Sequence, residues 1–227
     1  ELIDRIKDSA KQKGTGRWAS IEALKQGVDI SMITSACTAR IMSNHLDERE
    51  KAWQLIHSPA VGLSPDKESF AAMVREALYT GKIIAYAQGF SLMQDASRLY
   101  GWNLDLGKIA SIFRAGCIIQ AVFLNDITHA FEAEPKPENL IFDGFFLSRI
   151  NEHQDSLRQP VSTGVMNGLP IPALCNAVSY LDEFRAKAAG ANLIQAQRDC
   201  FGAHTYERTD REGIFHHEWR WANDNQH

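Results

Sequence analysis

The sequence predicts an all-α fold that ends in a C-terminal arm. Apolar residues recur at helical spacing through most of the 227 residues, and alternating strand patterns are rare. After Gly202 this periodicity fades, although residues 205–227 still contain Phe215, Trp219 and Trp221. Burial of one large aromatic side chain is worth about 1.5–3 kcal/mol. We therefore expect the arm to dock, either on its own domain or on a partner subunit.

Composition indicates a globular protein and argues against several classes of partner. Hydrophobic residues make up 44% of the chain, which is enough for a full core, and the formal net charge is −4. This balance argues against nucleic-acid and membrane-surface partners, and no stretch approaches the ~18 apolar residues of a membrane span. His216 and His217 are adjacent and cannot share a helix face, so no metal site is expected. We expect a cytoplasmic protein with reduced cysteines.

The chain is predicted to begin with three short helices, over residues 1–12, 20–27 and about 30–49. Apolar residues at helical spacing support the first, and the two glycines of KGTGRW (13–18) end it. Ser20 can cap the second helix and Gly27 can stop it. Asp29 or Ser31 can then begin the third.

Two long apolar stretches follow a loop predicted over residues 57–68. From Asp66 to about Tyr100 the apolar residues keep a 3–4 spacing, which predicts one long helix. Residues 104–131 are apolar on nearly every side, a pattern typical of a helix buried in a large all-α domain. Residues 134–139 are predicted to form a turn.

Four further helices are predicted towards the C-terminus, over residues 138–158, 159–167, 173–187 and from about 189 onward. GLPIP (168–172) is a rigid break, and Pro172 suits the first turn of the helix that follows it. The predicted fold is therefore a series of helices with the arm at its end.

KGTGRW is the first candidate site, because Lys13 and Thr15 add a cation and a hydroxyl to a glycine-rich turn. Gly14 and Gly16 allow a ligand to approach the main chain, and the start of a helix favours anions. The stretch is not a dinucleotide fingerprint, because Ala19 stands where GxGxxG needs its third glycine. An anion-binding turn and a plain helix–helix turn with a surface lysine both remain open.

Arg40 is the second candidate, since it lies among the small and apolar residues of SACTARIMSN (35–44). An arginine in such surroundings either extends its guanidinium to water or pairs with a buried anion. The anion-binding interpretation gains weight only where another cation meets Arg40.

Arg198 and His204 are the third candidate. They are six positions apart, about 240° around an α-helix, so a continuous helix would not bring them together. Gly202 offers a break that could let both face one anion, for which the planar arginine fork is well suited. The alternative is a surface arginine paired with Asp199 beside a capped histidine.

Six stretches, taken together and in order, resemble the 6-phosphogluconate dehydrogenase family. They are KGTGRW (13–18), TAR ending at Arg40, ALYTGKIIAYAQGF (77–90), IFRAGCII (112–119), ANLIQAQRDCFGAHTYER (191–208) and GIFHHEW (213–219). They are similar to its C-terminal helical domain over nearly the whole chain. That family converts 6-phosphogluconate to ribulose 5-phosphate by oxidative decarboxylation in the pentose phosphate pathway, with NADP or, in some members, NAD.

The resemblance implies roles for the candidate residues. Lys13, Thr15 and Arg40 would contact the substrate phosphate from one subunit of a homodimer. Arg198 and His204 would reach the same substrate from the tail region of the other subunit. Most of the dimer interface would come from the helical domain, which suits an apolar helix at 104–131.

The resemblance also implies a division of labour. Residues 1–204 would be the all-α substrate-binding and dimerisation domain, and residues 205–227 the C-terminal tail. No strand–GxGxxG–helix unit occurs in the sequence, so the dinucleotide-binding domain is expected to be absent from this chain. The catalytic lysine and glutamate of the family would lie upstream of Glu1. Because the coenzyme domain and these two catalytic residues would be missing, we expect the chain to have no dehydrogenase activity alone. The missing start methionine also fits a fragment or a processed chain.

Two positions depart from the family pattern. Gln120 stands where arginine is usual, and Cys200 replaces an aromatic residue between Arg198 and His204. These departures give modest support to an alternative, a non-catalytic helical module for dimerisation or sugar-phosphate sensing.

Overall fold

The computed structural model describes residues 1–58 and 66–219, and their regular structure is almost entirely helical. The predicted all-α fold class is therefore confirmed. The chain divides into two compact units, Glu1–Tyr180 and Leu181–His227. The helices are α1 (Thr15–Gln26), α2 (Ser31–Ser43), α3 (Leu46–Leu55), α4 (Lys67–Tyr100), α5 (Leu106–Ile112), α6 (Leu124–Glu132), α7 (Gly144–Met166), α8 (Pro172–Arg185) and α9 (Ala191–Gly202).

The core of the first unit lies along α4, which confirms the long helix predicted from residue 66. Its 34 residues span about 50 Å, and the Asp66 carboxylate caps its start by accepting the Ser69 N–H at 2.9 Å. Helix α7 packs along α4. Phe90 of α4 is buried and stacks on Phe131 of α6, with ring centroids 5.3 Å apart. Helices α4, α6 and α7 therefore share one apolar interior.

Pro160 lies inside α7, so the two helices predicted over 138–158 and 159–167 are wrong. The helix runs without interruption from Gly144 to Met166. Proline in a helix interior costs about 3 kcal/mol and usually ends the helix. Leu157 and Val161 are buried on either side of Pro160, which is itself buried. Burial of this face offsets the cost of the proline.

The continuous buried helix predicted over 104–131 is also wrong. Two short helices, α5 and α6, are joined by an irregular segment in which Gly116 has a φ of 67°. Ile118 is fully exposed, and Val122 is largely exposed. Lys82 of α4 donates to the Gln120 carbonyl at 2.8 Å and holds the segment against α4. Ile118 and Val122 therefore face outward from this chain, whereas Phe123 at the end of the segment is buried.

The helix predicted over residues 1–12 is reduced to a single 3-10 turn, Ile3–Arg5. Leu2, Ile3 and Ile6 are all exposed. A short helix is marginal in water unless a packed apolar face supports it, and these three side chains are mostly exposed. This explains why the helical pattern does not become a helix here.

Helices α1 and α2 differ from the predicted bounds. Helix α1 begins at Thr15, five residues before the predicted Ser20 cap, and ends at Gly27 as predicted, with a φ of 72°. The helix predicted to run to residue 49 ends at Ser43, and α3 follows. The Asn44 side chain donates to the Arg40 carbonyl at 2.6 Å and so competes for a helical acceptor.

In the second unit, α9 leads into a short antiparallel hairpin. Strand β1 (Tyr206–Glu207) pairs with β2 (Ile214–Phe215), with Tyr206 opposite Phe215. Arg211 lies over the Phe215 ring at 4.6 Å. The arm is therefore folded through Trp219. Trp221 and residues 59–65 of the predicted loop lie outside the described residues.

Candidate functional site

The start of α1 favours an anion. Gly14 precedes the helix with a φ of 102°, a conformation that suits glycine. Among the described residues no side chain caps this end, and the first turn of α1 contains no carboxylate. The first N–H groups of α1 therefore carry uncompensated partial positive charge. Lys13 and Arg17 flank this turn, and both are exposed.

Lys13 and Arg40 lie at the same end of the α1–α2 hairpin. Three contacts align the two segments, and Lys13 and Arg40 each lie between the first contact and the second. The two residues therefore lie at the same level along the hairpin. The aligning contacts are Ala10 N–H to Ser43 Oγ at 2.9 Å, Gly16 against Cys37, and Ser20 Oγ to Thr34 Oγ1 at 3.0 Å. The hairpin thus places at one level two cations that are 27 positions apart in the sequence.

Gly16 permits this close approach of α1 and α2. A Cβ added to Gly16 would lie 2.5 Å from the Cys37 Sγ, closer than side-chain atoms pack in proteins. The glycine is therefore required by the packing of α1 on α2, in addition to any role in the turn before it.

Lys13 and Arg40 are both exposed, and neither forms an ion pair with a carboxylate of the described residues. Of the two interpretations of Arg40, the structure shows the guanidinium extended towards water. Arg49 provides a contrast, because it pairs with Asp8 at 2.5 Å. The hairpin end therefore presents two cations whose charges are available to a ligand.

A buried glutamine that was not predicted from the sequence fixes α2 on α4. The Gln88 Oε1 atom accepts the Met32 N–H at 3.1 Å. Its Nε2 atom donates to Asp29 Oδ1 and Ser31 Oγ, each at 3.0 Å. Gln88 is fully buried, so these bonds replace its contacts with water. The position of this glutamine on the apolar face of a long helix could have indicated a buried polar contact.

In the second unit, α9 ends at Gly202, which confirms the predicted break between Arg198 and His204. Ala203 and Thr205 follow with φ values of 50° and 62°, both left-handed and both unusual for residues other than glycine. A Cβ added to Gly202 would lie 3.2 Å from the His204 Nε2. The chain therefore turns sharply at His204, whose ring lies against the Gly202 backbone.

Asp199 of α9 binds several groups of the arm, and this role was not predicted from the sequence. It is fully buried, although it is a carboxylate. Its Oδ1 atom accepts the Thr205 N–H at 2.9 Å and bonds the His216 Nδ1 at 2.8 Å. Its Oδ2 atom accepts the His217 N–H at 3.0 Å and the Trp219 Nε1–H at 2.9 Å. One carboxylate thus holds both the turn after α9 and the far end of the arm.

These bonds also set the ionisation of Asp199. Burial raises the pKa of the carboxyl group, but bonds from His216, the His217 N–H, Trp219 and the Thr205 N–H together outweigh burial and hold the pKa well below its usual range. The predicted alternative of a surface pair between Arg198 and Asp199 is wrong, because Asp199 directs both oxygens to the arm.

Arg198 bonds to a different residue, Gln195. Its Nη1 atom donates to the Gln195 Oε1 at 3.0 Å. The Nε2 atom of the same amide donates to the Thr205 carbonyl at 2.6 Å. Gln195 therefore connects the Arg198 side chain with the turn that carries His204, and both of these site candidates are exposed.

Residues 1–58 and 66–219 contain no group of three histidine, cysteine, aspartate or glutamate side chains arranged to hold a metal ion. None of the helices in the same ranges combines the length and apolar character needed to cross a bilayer. Of the adjacent histidines considered as metal ligands, His216 bonds Asp199 through its ring Nδ1 atom, and His217 through its backbone N–H.

Comparison with known proteins identifies one family. Residues 1–219 match the family model described as 6-phosphogluconate dehydrogenase, C-terminal domain. Proteins called 6-phosphogluconate dehydrogenase, decarboxylating, from Lactococcus lactis strain IL1403 and Staphylococcus aureus strain N315 are 48% and 47% identical over 218 residues. These alignments cover 96% of this chain but 46% and 47% of the relatives. The chain therefore spans about half the length of the curated relatives it matches.

A solved structure agrees with this match. Plasmodium falciparum 6-phosphogluconate dehydrogenase has been determined in its apo form, with NADP+ and with 6-phosphogluconate. It superimposes with a TM-score of 0.89 at 39% identity, over 96% of this chain and 47% of that protein.

Proposed function

Because this chain belongs to the 6-phosphogluconate dehydrogenase family, whose C-terminal domain it matches, we propose that it is the substrate-binding and dimerisation part of a decarboxylating 6-phosphogluconate dehydrogenase. The whole enzyme would convert 6-phosphogluconate to ribulose 5-phosphate with NADP. The role of this part is to bind the substrate phosphate, and none of its residues is proposed as the catalytic acid or base.

The observation that carries this proposal is the cationic end of the α1–α2 hairpin. A phosphate with a charge near −2 requires several donors, and a chain with a net charge of −4 can supply them only by concentrating a few cations. Lys13 and Arg40 meet this requirement without a competing carboxylate. Thr15 adds a hydroxyl at the uncapped start of α1, whose N–H groups favour an anion.

Arg198 and His204 would complete the phosphate contacts from the other subunit. Arg198 uses one guanidinium nitrogen to bond Gln195, so its remaining N–H groups are available to phosphate oxygens. His204 is exposed at a sharp turn and can donate through its ring. Both residues therefore fit an arm that delivers two donors to a neighbouring site.

Homodimerisation is supported by the segment between α5 and α6. Ile112, Ile118 and Val122 are strongly exposed there, and Ile119 is partly exposed. Large apolar side chains exposed so close together in the sequence are typical of a protein–protein interface. We propose that this surface, in place of the predicted buried helix, contributes to contact between two subunits.

The residues of this chain do not fit the pyrophosphate of NADP. A dinucleotide turn requires a strand, GxGxxG and a helix, whereas KGTGRW lacks the third glycine and no described strand precedes α1. We derive no hydride-transfer step from this chain and assign NADP to the whole enzyme.

Binding of 6-phosphogluconate by the 227-residue chain tests the proposal. At 100 times its dissociation constant, the ligand should stabilise the wild type by about 2.7 kcal/mol. Arg40→Ala should lose most of this stabilisation, and Arg98→Ala should retain it, because Arg98 is a surface arginine of α4 paired with Asp95. Equal stabilisation of both variants would contradict the phosphate site. Turnover of 6-phosphogluconate by the full-length protein separates the enzyme from a sugar-phosphate sensor.

A further inference from the structure

Gln195 and Asp199 lie one helical turn apart on α9, on the same side of the helix. Each binds one polar backbone group of Thr205. Gln195 donates to the Thr205 carbonyl at 2.6 Å, and Asp199 accepts the Thr205 N–H at 2.9 Å. The backbone of the residue after His204 is therefore attached to α9 at both of its polar atoms.

The turn needs this attachment because it is strained. Thr205 is β-branched and has a φ of 62°, and Ala203 on the other side of His204 has a φ of 50°. Non-glycine residues keep such conformations only where the surrounding structure imposes them. Gln195 and Asp199 are the side chains that impose this one on Thr205.

Gln195 acts on Arg198 at the same time. Arginine can only donate and a carbonyl can only accept, so the amide must present Oε1 to Arg198 and Nε2 to Thr205. This arrangement uses both ends of one amide and leaves it a single orientation. The position of the Arg198 guanidinium is thereby coupled to the turn that carries His204.

Asp199 cannot be replaced by its neutral isostere. Each carboxylate oxygen faces at least one group that can only donate, the Thr205 N–H on one side and the His217 N–H and Trp219 Nε1–H on the other. Asparagine would place its NH2 group against one of these donors in either orientation. The arm therefore requires a carboxylate at position 199.

We infer that Gln195 and Asp199 are positioning residues that fix Arg198 and His204 relative to each other for a bound phosphate. This inference rests on the proposed function for its ligand. The geometry itself is contained within the second unit and can be measured without a ligand.

The experiment compares two pairs of variants in the 227-residue chain. Gln195→Glu is paired with Gln197→Glu, an exposed glutamine of the same helix. Asp199→Asn is paired with Asp210→Asn, an exposed carboxylate of the same arm that pairs with Arg208. NMR spectra report the His204 and Thr205 amides and the Trp219 indole N–H, and calorimetry reports affinity for 6-phosphogluconate.

We expect Gln195→Glu and Asp199→Asn each to shift the His204 and Thr205 amides and to weaken binding about ten-fold or more, which corresponds to about 1.4 kcal/mol. The two controls should match the wild type. Acidification should restore the Thr205 amide signal in Gln195→Glu, because a protonated glutamate can again donate to the carbonyl. It should not do so in Gln195→Met, which has no donor.

Unchanged amide signals in Gln195→Glu and Asp199→Asn would overturn the inference. So would altered signals with wild-type affinity. Failure of the wild type to bind 6-phosphogluconate would instead overturn the proposed function, while the amide signals would still decide whether these residues order the turn.

Discussion

The α1–α2 hairpin and the C-terminal arm both present proposed phosphate contacts, but different forces hold them. The hairpin packs through apolar and small residues, including Ala23 and Ile30, which are buried, and Gly16 against Cys37. The arm is held by α9, whose one buried residue is Asp199, a carboxylate. The hairpin is therefore stabilised by distributed packing, and the arm by hydrogen bonds that meet at one side chain.

This difference predicts how each region fails. A packed core loses stability in proportion to the apolar volume that a substitution removes. A buried carboxylate with four donors loses its partners together, because each bond depends on the same charge and position. The arm should therefore be sensitive to changes that alter polarity at constant volume, such as Asp199→Asn, whereas the packed core of the first unit responds to changes in volume.

The largest expected effect is in the core of the first unit. Phe90→Ala should lower the free energy of unfolding by about 3–5 kcal/mol, because it removes a ring that is buried against Phe131. Chemical denaturation followed through the α4 amides measures this loss. Leu24→Ala is the control, since Leu24 is exposed on α1 and should change stability by no more than about 0.5 kcal/mol. Similar losses in the two variants would contradict the assignment of this core.

The next effect is at the contact between the two helices of the hairpin. Gly16→Ala should cost about 1–3 kcal/mol, because its Cβ would overlap the Cys37 Sγ. Gly89→Ala offers a matched control in α4, where an added Cβ meets no atom within 4 Å. That variant should be stabilised by about 0.4–1 kcal/mol. Thermal denaturation should show a lower Tm for Gly16→Ala and a higher Tm for Gly89→Ala than for the wild type. Changes in Tm of the same sign would contradict the hairpin packing.

These contrasts also explain what the sequence could and could not predict. Helical periodicity predicted α4 because its apolar residues face one continuous interior, and Gly27 and Gly202 correctly predicted helix ends. Pro160 was misleading because tertiary burial offset a local cost. The apolar run around Ile118 was misleading because composition does not distinguish a buried segment from an exposed one.

The sequence indicated which residues are candidates for the site, but it did not predict how they are arranged in space. Polar residues beside glycines singled out Lys13 and His204, because a glycine turn lets a ligand approach the main chain. The roles of Asp199 and Gln195 were missed because their partners are distant in the sequence. Asp199 bonds Trp219, 20 positions away, and Gln195 bonds Thr205, and no local sequence pattern predicts such hydrogen bonds.

A smaller effect should appear on acidification. The pKa of Asp199 is lower in the folded arm than in the unfolded chain, so its stabilisation is complete above the ordinary aspartate pKa of about 3.9 and is lost as the pH falls through the folded value. His216 is the titratable side chain that bonds it. The Trp219 indole N–H signal should therefore persist from pH 8 down to about pH 4. Its loss above pH 5 would contradict the account of the arm.

The smallest effect should come from Gly202→Ala. The added Cβ would lie 3.2 Å from the His204 Nε2, so the ring must move by a few tenths of an ångström. We expect a shifted His204 ring signal with little change in the unfolding of the arm. A substantial loss of arm stability would indicate that Gly202 has a backbone role beyond making room for this ring.

Our central proposal is that cations from both regions bind one phosphate, with Arg198 and His204 supplied by a partner subunit. Arg40→Ala and Arg198→Ala chains, each weak in binding 6-phosphogluconate, can be unfolded together and refolded as a mixture. If each site takes Arg40 from one subunit and Arg198 from the other, half of the dimers are mixed and each has one intact site, so about one site in four should bind with wild-type affinity. No recovery of wild-type sites in a mixture of dimers would contradict the claim.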